Sequence, residues 1–546
     1  MQPHFKLWPK PLSRHLTVPA TALYDSFTVS ARRYPERSAL IFYGKRTSYR
    51  ELEDKIARMA GFLASRCAVA KGDRVLIDMQ NCPQFVVAYY AILRLGAIAV
   101  PINPMNLSEE IAHALQDSGA QVAFASQEVL GQFKPLVERG LVRHVIVSAY
   151  CDELPEVADG PVPEAIAQAR QAIDDPAATS WADAIRTAPI DHCPDAAAED
   201  LALLVYTSGT TGQPKGCALS HRALHASILS MGNWYGWTAD ATALATAPFF
   251  HVTGMASSMN LPLFVGASIV LLPRWERTAA AALIQRHRVT HWTNVPTMVI
   301  DLLGLPDIDS YDLSSLCYVG GGGTAMPGPV AARLAGLTGL EYQEGWGLTE
   351  VAGPIHLNPC SKPRRQCLGI PVFDVDSRII DPERGVELGP NQLGEIVTRG
   401  PHLFSGYWNN PEATREAFIE LDGKPFFRTG DVGYRDDEGY FFIVDRIKRM
   451  INAAGFKIWP AEVEGILYRH PLIQEACVVG AKDPQRGETV KASVVLKRSA
   501  MVSAEEIIAW SREQMAYKIP RIVEFVDALP KSGTGKVQWR LLTEQQ

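Results

Sequence analysis

Between Tyr49 and Ala125 helical and extended patterns follow one another in turn, and no other property of the chain narrows its fold as much. Tyr49 to Arg66 carries apolar residues at helical spacing, Arg74 to Met79 is a short strand, and Gln84 to Arg94 is a second helix. Strand Ala97 to Ile102, helix Leu107 to Asp117 and strand Gln121 to Ala125 continue the series. This βαβ rhythm predicts a largely parallel sheet faced by helices, so the class is α/β. A second alternating region runs from Leu201 to about Gly345, and Leu393 to Gly406 with Gly439 to Val444 reads as antiparallel strands with glycine-rich turns. In the last hundred or so residues the pattern is that of a compact α+β unit: helix Trp459 to Tyr468, strands Ile473 to Gly480 and Lys491 to Lys497, and helix Ala504 to Gln514 behind Ser503 as N-cap.

A chain of 546 residues corresponds to roughly three to four domain-sized units, which excludes a hormone or a single small module. Fifty-three basic against 59 acidic side chains, a formal charge of −6, give no electrostatic case for nucleic acid. Nine cysteines without a CxxC pair suit a reducing compartment rather than a disulfide or zinc framework. The N-terminus bears Lys6, Lys10 and Arg14 but is interrupted by Pro3, Pro9 and Pro11, unlike a signal peptide. Phe85 to Ile102 and Leu261 to Pro273 are too broken or too short for the ~20 residues of a spanning helix and read as buried helix–strand pairs. The final Thr-Glu-Gln-Gln is neither a peroxisomal nor an ER-retention signal, so the expected location is cytoplasmic. The acidic stretch 151–200 reads as a mostly solvated insertion with one short helix and no assigned function.

Chemistry enters at Tyr206-Thr-Ser-Gly-Thr-Thr-Gly-Gln-Pro-Lys-Gly216, directly after the apolar strand Leu201 to Val205. Its glycines permit tight turns that present backbone N–H groups, Ser208, Thr210 and Thr211 add hydroxyls, and Lys215 adds a positive charge. Such a run can cradle phosphate oxygens; a ligand-free hairpin turn is the plain alternative. It is not a Walker A loop, which places glycine before the lysine and Ser or Thr after it, where this chain has Pro214 and Gly216.

That run resembles the signature of the adenylate-forming superfamily, which includes acyl-CoA synthetases, luciferases and peptide-synthetase adenylation domains, and the likeness spans nearly the whole chain. Tyr342-Gln-Glu-Gly-Trp-Gly-Leu-Thr-Glu350, Phe427-Arg-Thr-Gly-Asp431, Tyr440-Phe-Phe-Ile-Val-Asp-Arg446 and Leu529-Pro-Lys-Ser-Gly-Thr-Gly-Lys536 follow in the family's order. The resemblance implies stacked α/β subdomains plus a β-barrel-like subdomain in an AMP-binding domain 1–444, then a small mobile domain 445–546 hinged at Lys448. It implies nucleotide contacts from Thr207, Ser208, Gly209, Thr210, Thr211, Gly212, Lys215, Gly321, Gly322, Trp346, Gly347 and Thr349, with ribose contacts from Asp431, Ile443 and Arg446. By the same likeness Glu350 binds Mg²⁺, Gly455-Phe456-Lys457 lines a pantetheine channel, and Lys536 is the adenylation lysine. A solvated Lys457 is the plain alternative.

Pro248-Phe-Phe-His251 has no carboxylate where peptide-synthetase domains use one to hold an amino group, so an α-amino acid substrate is not expected. His251 resembles the gate histidine of acyl-CoA synthetases; a buried structural histidine is the other reading. Val252 to Ser258, Val295 to Thr297, Gly320 to Gly323 and Trp346 are expected to wall an acyl pocket. There the glycine run withdraws side chains to admit a bulky or long acyl group, joins a strand to a turn, or does both. The basic residues Arg446, Lys448, Arg449 and Lys457 are either a CoA-binding cluster or a solvated charge run. The sequence-based expectation is an ATP- and Mg²⁺-dependent ligase joining a carboxylic acid, most closely a medium- or long-chain fatty acid, to CoA. Aryl or aryl-propenoic acids are the alternative substrates; a luciferase-like oxidase or a non-catalytic ligand-binding homologue are readings from other classes. Neither nucleic acid nor a transmembrane segment is expected, and a homodimer is left open.

Overall fold

The computed structural model describes residues 3–190, 194–207, 214–453, 456–483, 486–498, 500–514, 519–531 and 537–543, with the backbone alone at 456 and 457. They form two compact units. The first comprises residues 1–376, 398–427 and 438–440, and the second 377–397, 428–437 and 441–546.

The first unit contains two large sheets. One has eight strands in the order Gly406–Tyr407, Lys215–Ser220, Leu201–Thr207, Ile98–Pro101, Arg74–Asp78, Val122–Ser126, His144–Ser148 and Ala178–Ser180. From Leu201–Thr207 onward every pairing is parallel, as the βαβ rhythm predicts. The other has nine strands, parallel through its middle and antiparallel at both ends. Helix Tyr49–Arg66 starts at a capping box in which the Ser48 hydroxyl accepts from Glu51 N and the Glu51 carboxylate accepts from Ser48 N. Helix Pro83–Arg94 is buried from Pro83 through Leu93, which explains why its sequence is apolar all round. It is joined by Asn260 Nδ2 donating to the Tyr89 hydroxyl at 3.2 Å, while Asn81, just before it, donates to the carbonyls of Ala245 and Ala247 in the nine-stranded sheet's half of the unit.

The described residues of 151–200 are mostly half-buried or exposed, as expected of a solvated insertion, but they hold more than one short helix. They contain helices Glu164–Ala167 and Trp181–Ala184, and strand Ala178–Ser180 extends the eight-stranded sheet. Some of their acids pair with the body: Glu153, 5% exposed, takes Lys55 and Lys45, and Asp159 takes His287 and Arg286. Charge composition alone did not reveal these partners because the lysines and arginines come from distant parts of the chain.

In the second unit, the end of strand Lys424–Arg435 pairs with Phe441–Arg446, from Asp431 opposite Arg446 to Arg435 opposite Phe441. Farther along, in the hairpin Ile473–Asp483/Gly487–Leu496, the second strand pairs along its free edge with Ile451–Ala453 at Gly487 and, in parallel, with Ile522–Phe525 from Lys491 to Val494. Helices Pro460–Leu467 and Ala504–Gln514 cover it, the second opened by a Ser503–Glu506 capping box.

Two sets of buried titratable groups give stability opposite pH slopes. Asp78 is fully buried, and neither carboxylate oxygen has a hydrogen-bond partner among the described residues. Burial, reinforced by nearby Glu128, pushes its pKa well above the ordinary 3.8. Its folded form therefore holds a proton that the unfolded chain releases, so stability falls as pH rises from about 4 toward the folded-state pKa, by about 1.4 kcal/mol per pH unit. Burial lowers His221, His225, His291 and His402 to about 4, so they cost stability as pH falls from about 6.5 to 4. Asp78→Asn is expected to raise the urea midpoint at pH 8, with the gain shrinking to nothing near pH 4. A gain independent of pH contradicts a neutral Asp78.

Candidate active site

Four neighbouring parallel strands of the nine-stranded sheet, Gln343–Leu348, Tyr318–Gly321, His291–Asn294 and Thr242–Ala245, end on one edge. Beyond their carboxyl ends come, respectively, Thr349-Glu350, Gly322-Gly323, Val295 to Thr297 and His251. The edge beyond the carboxyl ends of parallel strands is where open α/β sheets bind ligands, and four separately chosen sequence segments converge on it.

His251 is half-buried, its ring 4.7 Å from that of Phe250. Its N–H donates to Pro248 O and its carbonyl accepts from Met255 N. Just after it, Met255–Asn260 winds as a π-helix, a form that recurs at functional sites. Gly254 is needed here because a Cβ would stand 2.2 Å from Pro248 O.

The glycine run is packed against backbone. A Cβ on Gly320 would meet Gln343 O at 2.5 Å and the Tyr318 hydroxyl at 2.7 Å; on Gly321, Asn294 O at 1.8 Å; and on Gly322, Gly345 O at 2.5 Å. Strand approach therefore accounts for these three glycines, and the reading as a strand-to-turn connection has direct support. Trp346, 7% exposed, lies opposite His356 with ring centroids 4.8 Å apart. Burial holds His356 well below the usual imidazole pKa, so it is a neutral support for the indole. Gly347 admits no side chain, since a Cβ would sit 1.8 Å from Gly353 O. Glu344 of the same motif is structural: its carboxylate accepts from Met326 N at 2.9 Å and from Gln366 N at 2.5 Å.

On the eight-stranded sheet, Leu201–Thr207 and Lys215–Ser220 form an antiparallel hairpin closed by the pair Thr207/Lys215. Ser208, Gly209, Thr210, Thr211 and Gly212 lie outside the described residues. A strand–loop–strand frame is unlike the strand–loop–helix of a Walker A site. Lys215 Nζ stands 5.0 Å from the centre of the Tyr407 ring, and the Tyr407 hydroxyl donates to Glu350 Oε1 at 3.0 Å. Lys215 and Glu350, from different sheets, are thus brought to one aromatic side chain. Sequence reading missed Tyr407; its only local signal is an aromatic pair after Gly406, ahead of the Asn410 cap and Pro411.

In the second unit, Asp431 is 1% exposed and Arg446 Nε contacts its Oδ1 at 2.8 Å. The turn holding Asp431 is stitched to strand Gly394–Arg399: Glu395 Oε2 accepts from Arg428 Nη2 at 2.6 Å, Glu395 Oε1 accepts from Gly430 N at 3.2 Å, and the Thr429 hydroxyl donates to Ile396 O at 2.6 Å. Glu395 was also missed, being a lone acid in a strand pattern. Ile443 keeps 42% of its surface exposed, an apolar face suited to covering a flat group. Arg449 is not a solvated cation: it pairs with Glu464, sits 3.6 Å from Asp445 and donates to Val478 O. Lys448 lies on the 3₁₀ turn Ile447–Arg449. Gly455 and Lys536 lie outside the described residues, as do the side chains of Phe456 and Lys457. The stems around Lys536 are fixed, with Lys531 and Val537 bridged and Gln538 N donating to Pro530 O.

Residues 27–408 match the family model for the AMP-binding enzyme, and 462–536 that for the AMP-binding enzyme C-terminal domain. A long-chain-fatty-acid–CoA ligase of Bacillus subtilis is 34% identical over 100% of this chain and 98% of its own length. A feruloyl-CoA synthase of Amycolatopsis is 34% identical over 93% of this chain and 95% of its own. The ATP-bound MatB crystal structure from Rhodopseudomonas palustris superposes with TM-score 0.85 at 26% identity, covering 96% of this chain and 99% of that one. Matched along both of its parts, in sequence and in fold, the chain belongs to the AMP-binding enzyme family.

Proposed function

We propose that this protein is an AMP-forming acid–CoA ligase. A carboxylate attacks the α-phosphorus of ATP and displaces pyrophosphate; the CoA thiol then attacks the acyl-adenylate and releases AMP. The observation that carries this reading is the meeting of Lys215 and Glu350 at Tyr407, beside the edge where four strand ends converge. An ammonium and a carboxylate so placed suit a triphosphate and its divalent cation. The donor set suits Mg²⁺, which is usually held by one or two carboxylates plus substrate phosphates. Glu350 with Thr349 would hold it, and it would neutralise phosphate charge there.

The chain's own residues supply positioning and charge stabilisation. Lys215 meets phosphate oxygens, Asp431 accepts hydrogen bonds from the ribose hydroxyls, and Arg446 reaches ribose or phosphate oxygens. Trp346, with His356 behind it, packs on a flat base, and His251 gates the acyl entrance. Domains divide at 444/445, and rotation at Lys448 presents Lys536 for adenylation and then Gly455-Phe456-Lys457 for thioester formation. No cysteine is required as a nucleophile. Cytoplasmic residence belongs to the same reading, supported by eight described cysteines that are all free thiols. No described helix is long and apolar enough to cross a membrane.

Medium- and long-chain fatty acids are the first substrate class, and aryl-propenoic acids the second, supported by the full-length feruloyl-CoA synthase relative. The test is a panel of aliphatic acids of graded length and cinnamic-type acids with ATP and CoA, following AMP and pyrophosphate. CoA-dependent AMP release with at least one aliphatic acid is expected. AMP release with cinnamic-type acids alone moves the substrate to the second class, and none with any acid refutes the ligase.

A further inference from the structure

The segment Phe404 to Trp408 clips the two large sheets of the first unit together. Phe404 N donates to Glu350 O at 2.9 Å, Ser405 N to Ala218 O at 2.8 Å and Trp408 N to Gly216 O at 2.7 Å. Gly406-Tyr407 pairs in antiparallel register with Ala218 and Cys217, on the strand that begins at Lys215. Tyr407 is the side chain that uses this clip. Its hydroxyl reaches Glu350 Oε1, its ring face lies under the Lys215 ammonium, and its ring edge is backed by Phe404 at 4.9 Å.

We infer that Tyr407 is a positioning residue that sets two groups at once: its hydroxyl fixes the rotation of the Glu350 carboxylate, and its ring fixes the Lys215 ammonium. A hydrogen bond to one oxygen restrains the rotation of a carboxylate, and an ammonium over an aromatic face is confined without losing its charge. Substituting either function alone should therefore have separable consequences. This rests on the proposed role of Glu350 as the carboxylate toward the nucleotide's divalent cation.

The test measures Mn²⁺ binding by electron paramagnetic resonance at saturating α,β-methylene-ATP, and metal-free binding of the same analogue by calorimetry, without acid or CoA. Tyr407→Phe keeps the ring and removes the donor, and is expected to weaken Mn²⁺ about tenfold while leaving metal-free nucleotide affinity unchanged, as befits one charge-assisted hydrogen bond. Tyr407→Leu removes both functions and is expected to weaken Mn²⁺ equally and metal-free nucleotide by about threefold more than the Phe variant. Glu350→Gln is the reference. If it leaves Mn²⁺ affinity intact, the metal assignment of Glu350 fails. If it weakens Mn²⁺ while Tyr407→Phe matches the parent, or lowers only the melting temperature, Tyr407 is a packing residue and the inference is overturned.

Discussion

Lys536→Ala is expected to abolish ATP-dependent activation of the acid while the variant still converts supplied acyl-adenylate and CoA to thioester. The loss in the first half-reaction should be on the order of 100- to 1000-fold, the usual cost of removing one donor aimed at charge that develops in the transition state. Adenylation builds negative charge between an incoming carboxylate and the α-phosphate, and a lysine there has no substitute in water. Thioester formation starts after that charge has left with pyrophosphate, so it does not need the same ammonium. The stems of the loop are held by the Lys531/Val537 bridge and by Leu529, which packs with Cys477, Val479 and Leu542. Removing the lysine's charge therefore leaves the stem contacts in place, and the effect can be read as chemistry. Lys448→Pro is the mirror image: it stiffens the turn about which the second domain is proposed to rotate, so it should spare adenylation and slow thioester formation. Measuring both half-reactions on both variants gives a crossed pattern. Equal losses in the two halves would deny either residue a half-specific role, and an unchanged overall rate for Lys536→Ala would remove it from catalysis.

Much of the fold could be read because its signals are local. Apolar spacing places helix Tyr49–Arg66 to the residue, and Ser503 as N-cap does the same for Ala504–Gln514. Expected strands at 74–79, 97–102 and 121–125 are found at Arg74–Asp78, Ile98–Pro101 and Val122–Ser126. The candidate site residues were named on equally local grounds, since each lies in a dense motif. What stayed hidden depends on contacts between distant positions. Tyr407 and Glu350 are 57 residues apart, and Glu395 supports the Asp431 turn across a strand pair 35 residues away. Neither carries a motif of its own, because a tyrosine or glutamate in a strand looks the same whether it supports a site or fills a surface. In the basic run around Lys448, read as a CoA-binding cluster or a solvated charge run, the ion pair of Arg449 was hidden because its partner Glu464 lies on the next helix. In residues 151–200 a count of charges could not show that Glu153 and Asp159 have cationic partners far away in sequence.

Glycines at 320–323 give the second large effect, because room for an acyl chain and close strand packing, each acting alone, predict opposite outcomes. If the run exists to make room for an acyl chain, Gly321→Ala should fold normally and shift the preferred chain length. The geometry favours collapse instead. A methyl at Gly321 would stand 1.8 Å from Asn294 O and 2.9 Å from its carbon, and those atoms belong to the strand paired with Gly321 in parallel register. No side chain can rotate away to relieve the clash; the ladder itself must open. Overpacking usually costs about 1–3 kcal/mol. Here the displaced atoms are backbone, so a loss of about 3 kcal/mol or more, seen as a large fall in urea midpoint or as insoluble protein, is expected. Gly336 provides the contrast within the same region. It lies exposed in helix Gly328–Thr338, and a Cβ there has nothing within 4 Å. Gly336→Ala should therefore stabilise by about 0.4–1 kcal/mol through the lower entropy of its unfolded chain. Opposite signs from the same substitution show that what surrounds the missing methyl, rather than glycine as such, decides the cost. A Gly321→Ala enzyme with parental stability and an altered acid profile would return the run to the acyl pocket.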